Sequence, residues 1–409
     1  MKLHDDTTFT PPTTPSHSKS NSASSDYLAS LSSLRRGDST ASRTSRPSLD
    51  ESCRPGRTDL MEFPYDLLDY EIQLDGKGRK KPIGSGAWSD VYLALPTTKR
   101  AAFVPVAPPM SPPLTPVHSR ASSATEDSLH AIPPLYAIKV PASTSAKKVL
   151  NAEARILSHL SQYTDAAEHI VPFFGQDNRT GALVLQAMDG TLEDWIQTTL
   201  SPLNDSSRAT KLASTFPALA LSLIDSLIWM QDKSCIHADI KPSNILYSTS
   251  PASSSPTPHL IFSDFSSTIL TTQGTTTSTP APMGAGTWEF LDPSLLSSLS
   301  PATPSASTDL YSLAITLLFV ILGASPFDGF KHNKFQQREM IKSGAPLQCL
   351  GYDDEGIRNA TKLAALSRDL GFDVKMWFAK VLVKDHARRV GVAEWRAELV
   401  EGLKGKARL

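Results

Sequence analysis

The sequence predicts an α+β protein of two unequal lobes, a small β-rich lobe with one main helix followed by a larger helical lobe. Three observations lead there. Period-two apolar alternation is concentrated between Ile83 and Ala187, whereas apolar residues recur at helical spacing after Asp189. Segments dominated by Ser, Thr and Pro, which cannot bury a core, fall at the N-terminus and between the patterned stretches.

Residues 1–60 carry no helical or strand period and read as a disordered tail, with Thr10-Pro11 and Thr14-Pro15 among its Ser/Thr-Pro pairs. The folded domain is expected over residues 61–405, its first lobe over about 61–188 and its second over about 189–405. Ile83–Leu95 reads as two short strands around a glycine turn, Val91, Leu93 and Leu95 alternating. Residues 96–134 return to low complexity and read as a disordered insertion, because loop closure costs rise only with the logarithm of length. Strand signal resumes at Leu135–Val140, and Ala146–Leu160 shows a helical period. Ile170–Phe174 and Ala182–Ala187 read as strands, Pro217–Gln231 as a helix with one apolar stripe, and Leu260–Ser263 as a strand. Two further insertions are expected, at Ser248–Pro258 and Ser297–Ser307.

Net charge is −1 over 409 residues, so no basic field advertises nucleic acid or acidic lipid as a partner. Cys53, Cys235 and Cys349 have neither metal-ligand nor paired spacing, which fits a reducing, intracellular compartment, cytoplasm or nucleus. The N-terminus lacks a charged-then-apolar signal pattern. The apolar run Leu310–Leu322 falls short of the roughly 20 residues a spanning helix needs, so it reads as a buried core helix and no membrane partner is expected.

Four strings carry chemistry. Gly84-Ser85-Gly86-Ala87-Trp88-Ser89-Asp90-Val91 places paired glycines between strands, where backbone N–H groups can approach phosphate oxygens. By itself it fits an ordinary hairpin turn equally well. Lys139, in Tyr136-Ala137-Ile138-Lys139, would need an anionic partner if it points inward. Glu153 on the next helix could supply one, or could be a solvated helix-face residue. The most specific string is Ile236-His237-Ala238-Asp239-Ile240-Lys241-Pro242-Ser243-Asn244-Ile245-Leu246. There Asp239 can orient or deprotonate a hydroxyl, Lys241 can neutralise a phosphoryl group, and Asn244 can ligate Mg²⁺; the alternative is a charged surface loop. Asp264 follows the apolar Leu260-Ile261-Phe262-Ser263 and precedes Phe265, a place from which a carboxylate can hold a metal.

Together, and in this order, these strings resemble the eukaryotic protein kinase family, serine/threonine type, over about Asp66 to Leu403. The resemblance implies a bilobal kinase fold that binds ATP and Mg²⁺ and acts on a protein substrate. It implies that Lys139 and Glu153 form the ion pair that orients ATP, that Asp239 and Lys241 are catalytic, and that Asn244 and Asp264 are the metal ligands. It places Ile83, Gly84, Ser85, Gly86 and Val91 over the nucleotide, with Ala137 and Leu246 beside the adenine. Leu183-Val184-Leu185-Gln186-Ala187-Met188 resembles the hinge, with Leu185 as gatekeeper. Gly286-Thr287 resembles the close of the activation segment, and Ser307-Thr308-Asp309 the start of the buried central helix. Lys384-Asp385-His386-Ala387-Arg388-Arg389 resembles the late arginine-bearing turn. The Ser/Thr/Pro-rich tail and insertions would then be places for regulatory partners.

The string also departs from the family. Ser89 replaces the third glycine. Ser266 replaces the glycine after Asp-Phe, which predicts slower switching because a residue tolerant of positive φ is gone. Ala238 replaces the arginine that reads an activation-segment phosphate, which predicts activity that depends less on such phosphorylation. Asp292-Pro293-Ser294 stands where the family has Ala-Pro-Glu. The lost glutamate would leave Arg389 unpaired, so Asp292 is expected to take its place. These departures leave a catalytically weak pseudokinase or scaffold as one alternative. The string His237, Asp239, Asn244 leaves a small-molecule kinase as another.

Overall fold

The computed structural model describes residues 60–65, 67–98, 132–249, 257–271, 288–296, 302–350 and 354–406. The expected tail (apart from Leu60), most of the 96–134 insertion, Gly286-Thr287, Cys53 and much of the two later insertions lie outside the described residues.

The first lobe is built on an antiparallel sheet in the order β1-β3-β4-β6-β5, with β2 paired to β3 alone. Its strands are β1 (Leu68–Ile72), β2 (Gly84–Ser85), β3 (Ser89–Thr98), β4 (Tyr136–Pro141), β5 (Phe173–Asp177) and β6 (Ala182–Gln186). β3 and β4 are immediate neighbours, in register from Ser89↔Pro141 to Ala94↔Tyr136, although a long low-complexity stretch separates them in the chain. β1 and the part of β3 beyond Leu95 carry no clean alternation of their own. Their mutual pairing, Leu68↔Thr98 through Ile72↔Ala94, makes them strands. The expected strand at Ile170–Phe174 begins only at Phe173; Ile170 instead forms a single parallel bridge to Phe262.

Alternation sorts the sheet's side chains. Tyr136, Ile138, Ala182 and Val184 face one way and pack with Phe63 and Ala94. Ala137 and Lys139 face the other way, opposite Leu185 and Leu183 of β6. Against that second face lies α1 (Ala146–Leu160), whose Leu150, Ala154, Leu157 and Leu160 are fully buried.

The second lobe is helical: α2 (Leu192–Trp195), α3 (Asp205–Asp232), α4 (Ala306–Leu322), α5 (Lys334–Ser343), α6 (Asp354–Leu370), α7 (Val374–Ala379) and α8 (Val392–Lys406). Small ladders join it, β10 (His259–Phe262) to β9 (Ile245–Ser248) to β7 (Gly190–Thr191), and β11 (Ile269–Leu270) to β8 (Cys235–Ile236). α3 corrects the expected start at Pro217, because the helix runs unbroken through that residue from Asp205. An interior proline costs about 3 kcal/mol. Burial of Leu212, Phe216, Leu219 and Leu223 on both sides of it outweighs that, at about 1.5–3 kcal/mol per side chain. α3 is also long and apolar enough to cross a membrane by composition, yet 56% of its most apolar window is buried in the lobe, as a core helix would be.

α4, the helix read from Leu310–Leu322, is buried almost all round. Ser305 and Thr308 cap its start reciprocally, and Gly323 ends it at φ 79°. Arg208 of α3 donates to the terminal carbonyls of Val320 and Ile321 at 3.2 and 3.1 Å, satisfying acceptors a helix end leaves open. Both helices thereby become a fixed base for the loop between β8 and β9, which carries Asp239.

Candidate active site

Lys139 is held on β4 facing α1. Its Nζ donates to both Glu153 carboxylate oxygens at 2.8 Å and to Asp264 Oδ1 at 2.9 Å. Glu153 is only 1% exposed, so the solvated-face alternative for it falls. Burial by itself would discharge Lys139, but the charges of Glu153 and Asp264 outweigh it and hold the ammonium above the ordinary lysine range. Burial likewise works against the Asp264 carboxylate. Lys139 and the Ser266 hydroxyl more than offset it, keeping Asp264 ionised well below the usual carboxylate range. Glu153 is moved the other way, upward, by burial with Asp264 nearby. Its Oε1 also accepts the Phe265 amide at 3.1 Å, so α1 and the Asp264-Phe265 turn are tied through one carboxylate.

The Asp264-Phe265-Ser266 turn carries its left-handed residue at its start. The left-handed residue is Asp264, at φ 59°, while Ser266 lies inside the short 3₁₀ turn Phe265–Ser267. No positive φ is needed at Ser266, so replacing glycine there introduces no backbone strain in this conformation.

Below this group, the loop after β8 converges on Asp239. Its Oδ2 accepts from Lys241 Nζ and from Asn244 Nδ2, both at 2.8 Å. The Asn244 amide is thus oriented by its nitrogen, and among the described residues no donor takes its Oδ1. Ser263 donates its amide to the Asn244 carbonyl at 2.8 Å, which sets Asn244 beside Asp264 at the ends of the β9–β10 hairpin. Both residues carry side-chain oxygens, and Mg²⁺ prefers one or two such protein ligands with phosphate and water completing the shell. Among the described residues no cluster of three or more His, Cys, Asp or Glu forms a self-sufficient metal site.

The loop's backbone is held from outside the string. Asp309, at the start of α4, accepts the amides of His237 at 2.7 Å and Ala238 at 2.9 Å. Ala238 sits at φ 63°, a conformation costing a non-glycine residue roughly 1–2 kcal/mol, and the paired amide bonds to Asp309 hold it there. Burial pushes the Asp309 carboxyl up to about 7 against the two amide bonds. His237 is fully buried; burial lowers its pKa and keeps the ring neutral. Nε2–H can then donate to the Ser263 carbonyl at 3.0 Å while Nδ1 accepts the Asp239 amide at 3.3 Å. Neither the Ala238 strain nor the Asp309 clamp has a local signature in the sequence.

The residues expected over a nucleotide assemble on the sheet. Gly84 pairs with Val91, Val91 with Lys139, and Ala137 with Leu185. Gly86 closes its turn by donating to the Ser89 carbonyl at 2.8 Å, and Ile83 lies just outside the turn, 59% exposed. A Cβ on Gly84 would meet nothing within 4 Å, so the fold itself makes no demand for glycine there and the open side faces solvent. Gln186, Ala187 and Met188 follow β6 into the connection between the lobes, and Leu246 comes up from β9.

The model of the protein kinase domain matches residues 129–398, more than half of the chain. The chain belongs to the protein kinase family. Serine/threonine-protein kinase ISR1 of Eremothecium gossypii is 29% identical over 258 residues, 57% of this chain and 65% of that protein. Serine/threonine-protein kinase D of Synechocystis is 26% identical over 253 residues, 61% of this chain and 41% of that protein. Serine/threonine-protein kinase TOS3 of Saccharomyces cerevisiae is 26% identical over 184 residues, 43% of this chain and 30% of that protein. The aligned part therefore spans less than two thirds of each relative. The kinase-family match begins after β1–β3, yet those strands complete the sheet in register, so this chain's kinase fold starts upstream of residue 129.

The family's late ion pair is rebuilt in this kinase. Asp292 pairs with Arg389, and both side chains are almost wholly buried, at 0% and 1% exposure. Arg389 also donates to the carbonyls of Val383 at 2.7 Å and Ser307 at 3.2 Å. Ser294, where the family has glutamate, donates its amide and hydroxyl to Asp292 Oδ1 at 2.9 and 2.7 Å. Asp354 and Glu355 form the first turn of α6.

Proposed function

We propose that this kinase uses Mg-ATP to phosphorylate serine or threonine hydroxyls of a protein substrate, with Lys139, Glu153, Asp239, Lys241, Asn244 and Asp264 in the roles the family resemblance assigns. The observation that carries the reading is that two hydrogen-bonded groups, Lys139–Glu153–Asp264 and Asp239–Lys241–Asn244, are joined where the Ser263 amide binds the Asn244 carbonyl.

Bound Mg²⁺ would supply charge neutralisation across the nucleotide phosphates, with Asp264 and the Asn244 amide oxygen as its protein ligands. The chain's own residues do the rest by positioning. Glu153 fixes the Lys139 ammonium, which can donate to phosphate oxygens without searching for a geometry. Asp239 Oδ2 is occupied by Lys241 and Asn244, which leaves Oδ1 to accept the hydrogen bond of an incoming hydroxyl. Lys241, anchored on Asp239, sits where charge on a transferring phosphoryl group can be offset. The Ser/Thr preference rests on Lys241 and on the names of the relatives.

Phosphate incorporation from Mg-ATP into a generic basic protein, and into the chain itself, tests the reading beside Asp239→Asn. Transfer by the wild type alone supports it. A folded wild type that binds Mg-ATP without transfer would replace it with the scaffold alternative.

A further inference from the structure

Immediately upstream of β1, residues 60–65 lie along the outer edge of the sheet, beyond its last strand β5. The contact is a short piece of strand pairing. Phe63 N donates to the Gln176 carbonyl at 3.0 Å, Gln176 N donates to the Met61 carbonyl at 2.9 Å, and Glu62 bridges Gln176 in parallel register. Phe63 is 2% exposed, its ring set edge-on to Tyr70 and Tyr136. Gly175 makes this approach possible. It adopts φ 123°, and a Cβ there would stand 2.5 Å from the Phe63 nitrogen and 2.6 Å from the Glu62 carbonyl carbon. Tyr65 adds a further tie, donating its hydroxyl to the buried Asp177 at 3.2 Å.

The same segment reaches α1. Met61 N donates to Ser158 Oγ at 2.9 Å, and that hydroxyl, 1% exposed, donates onward to the Ala154 carbonyl at 2.7 Å. Gln176, which pairs with the segment through its backbone, donates its side-chain amide to Asn151 Oδ1 at 2.6 Å. Asn151, Ala154 and Ser158 lie within one or two turns of Glu153 on one helix. Two separate hydrogen-bonded routes thus run from the segment to the helix whose glutamate holds Lys139.

We propose that residues 60–65 act as a positioning strap for α1, setting the Lys139–Glu153 pair through Ser158 and through the Gln176–Asn151 contact. The proposal rests on the phosphotransfer reading above and names the residues that tune it. Apart from the Lys139–Glu153 pair, helix α1 meets the sheet largely through apolar contacts, which are non-directional; the hydrogen bonds to Met61 and Gln176 add directional ties at the sheet's outer edge. The strap continues directly into the Ser/Thr/Pro-rich first residues of the chain.

The test is a double-mutant cycle in the full chain, read as kcat/KM for ATP. Ser158→Ala and Asn151→Ala are each made with Glu153 intact and with Glu153→Gln. Each strap variant is expected to lower kcat/KM about fivefold to tenfold when Glu153 is present, the scale of one lost hydrogen bond. In the Glu153→Gln background each should change it less than about twofold, since the pair being positioned is gone. Asn151 is exposed and the Gln176 amide keeps its bond to the Gly181 carbonyl, so the Asn151 variant retains the fold and decides the matter should Ser158→Ala unfold the lobe. Equal losses in both backgrounds would overturn the strap while leaving the phosphotransfer reading in place. A wild type that transfers no phosphate would overturn both.

Discussion

Asp292→Ala is the sharpest probe of how this kinase tolerates Ser294 in place of a glutamate. The variant removes the charge partner of a guanidinium that is 1% exposed, and removing one member of a buried pair costs about 3–5 kcal/mol. Here Arg389 keeps its bonds to the Val383 and Ser307 carbonyls and its place 4.9 Å over the Tyr311 ring. That retained solvation sets the pair term near the lower end, about 3 kcal/mol. Loss of the acceptor for the Ser294 amide and hydroxyl adds about 1 kcal/mol. The expected total is about 4 kcal/mol, or a fall in Tm of roughly 5–8 °C for a domain of this size. Calorimetry and the guanidinium midpoint both read it. Adding Ser294→Glu to Asp292→Ala should recover part of the loss, because a carboxylate then returns within reach of Arg389. A fall smaller than roughly 1 °C for Asp292→Ala would refute the reasoning, since it would mean that the guanidinium is satisfied without its buried anion.

Further outcomes follow from the site. Asp264→Asn should cut phosphate transfer by about 10²–10⁴-fold, the scale of a lost catalytic group, while circular dichroism and melting show the fold intact; near wild-type turnover would remove Asp264 from the assigned role. Phosphatase treatment should leave most of the activity, because Ala238 offers no guanidinium to read an activation-segment phosphate; abolition by phosphatase, reversed only by rephosphorylation between Thr268 and Thr287, would contradict this. Asp177 gives an acid limb to stability. Burial opposes its charge, but Arg179 and the Tyr70 hydroxyl outweigh burial and lower its pKa from 3.8 to about 2. A depressed folded pKa stabilises the fold above pH 4 and loses that stabilisation as pH falls toward 2. Asp177→Asn should therefore flatten unfolding free energy across that window, and an unchanged acid limb would show the latch carries none of it.

Much of the candidate site was legible because it is written in short strings. His237 to Leu246 is one loop, so the spacing of Asp239, Lys241 and Asn244 survives folding unchanged. The helix at Ala146–Leu160 was equally plain, since a single apolar stripe needs no knowledge of what it packs against, although which way Glu153 faces was left open. Pairing Arg389 with Asp292 was reachable too, by asking which anion could replace a missing glutamate in the same stretch. α3 before Pro217 was hidden, because proline is a local stop signal and only burial in the assembled lobe overrides it. The conformation of the Asp264–Ser266 turn was hidden for a related reason. Which of Asp264 and Ser266 takes the positive φ depends on where Lys139 and the Phe265 ring must go, and those are long-range contacts.

The sequence by itself determined the family, the two-lobed architecture and the choice of candidate site residues, because period and loop spacing are local properties of the chain. The tertiary structure alone decided how those residues are held. Asp309 clamps Ala238 from 71 positions away, Glu153 binds the Phe265 amide across 112, and Met61 reaches Ser158 across 97. A hydrogen bond between such distant groups leaves no periodicity in the chain. It exists only once packing has brought both partners together, and burial of at least one of them makes an unmade bond costly.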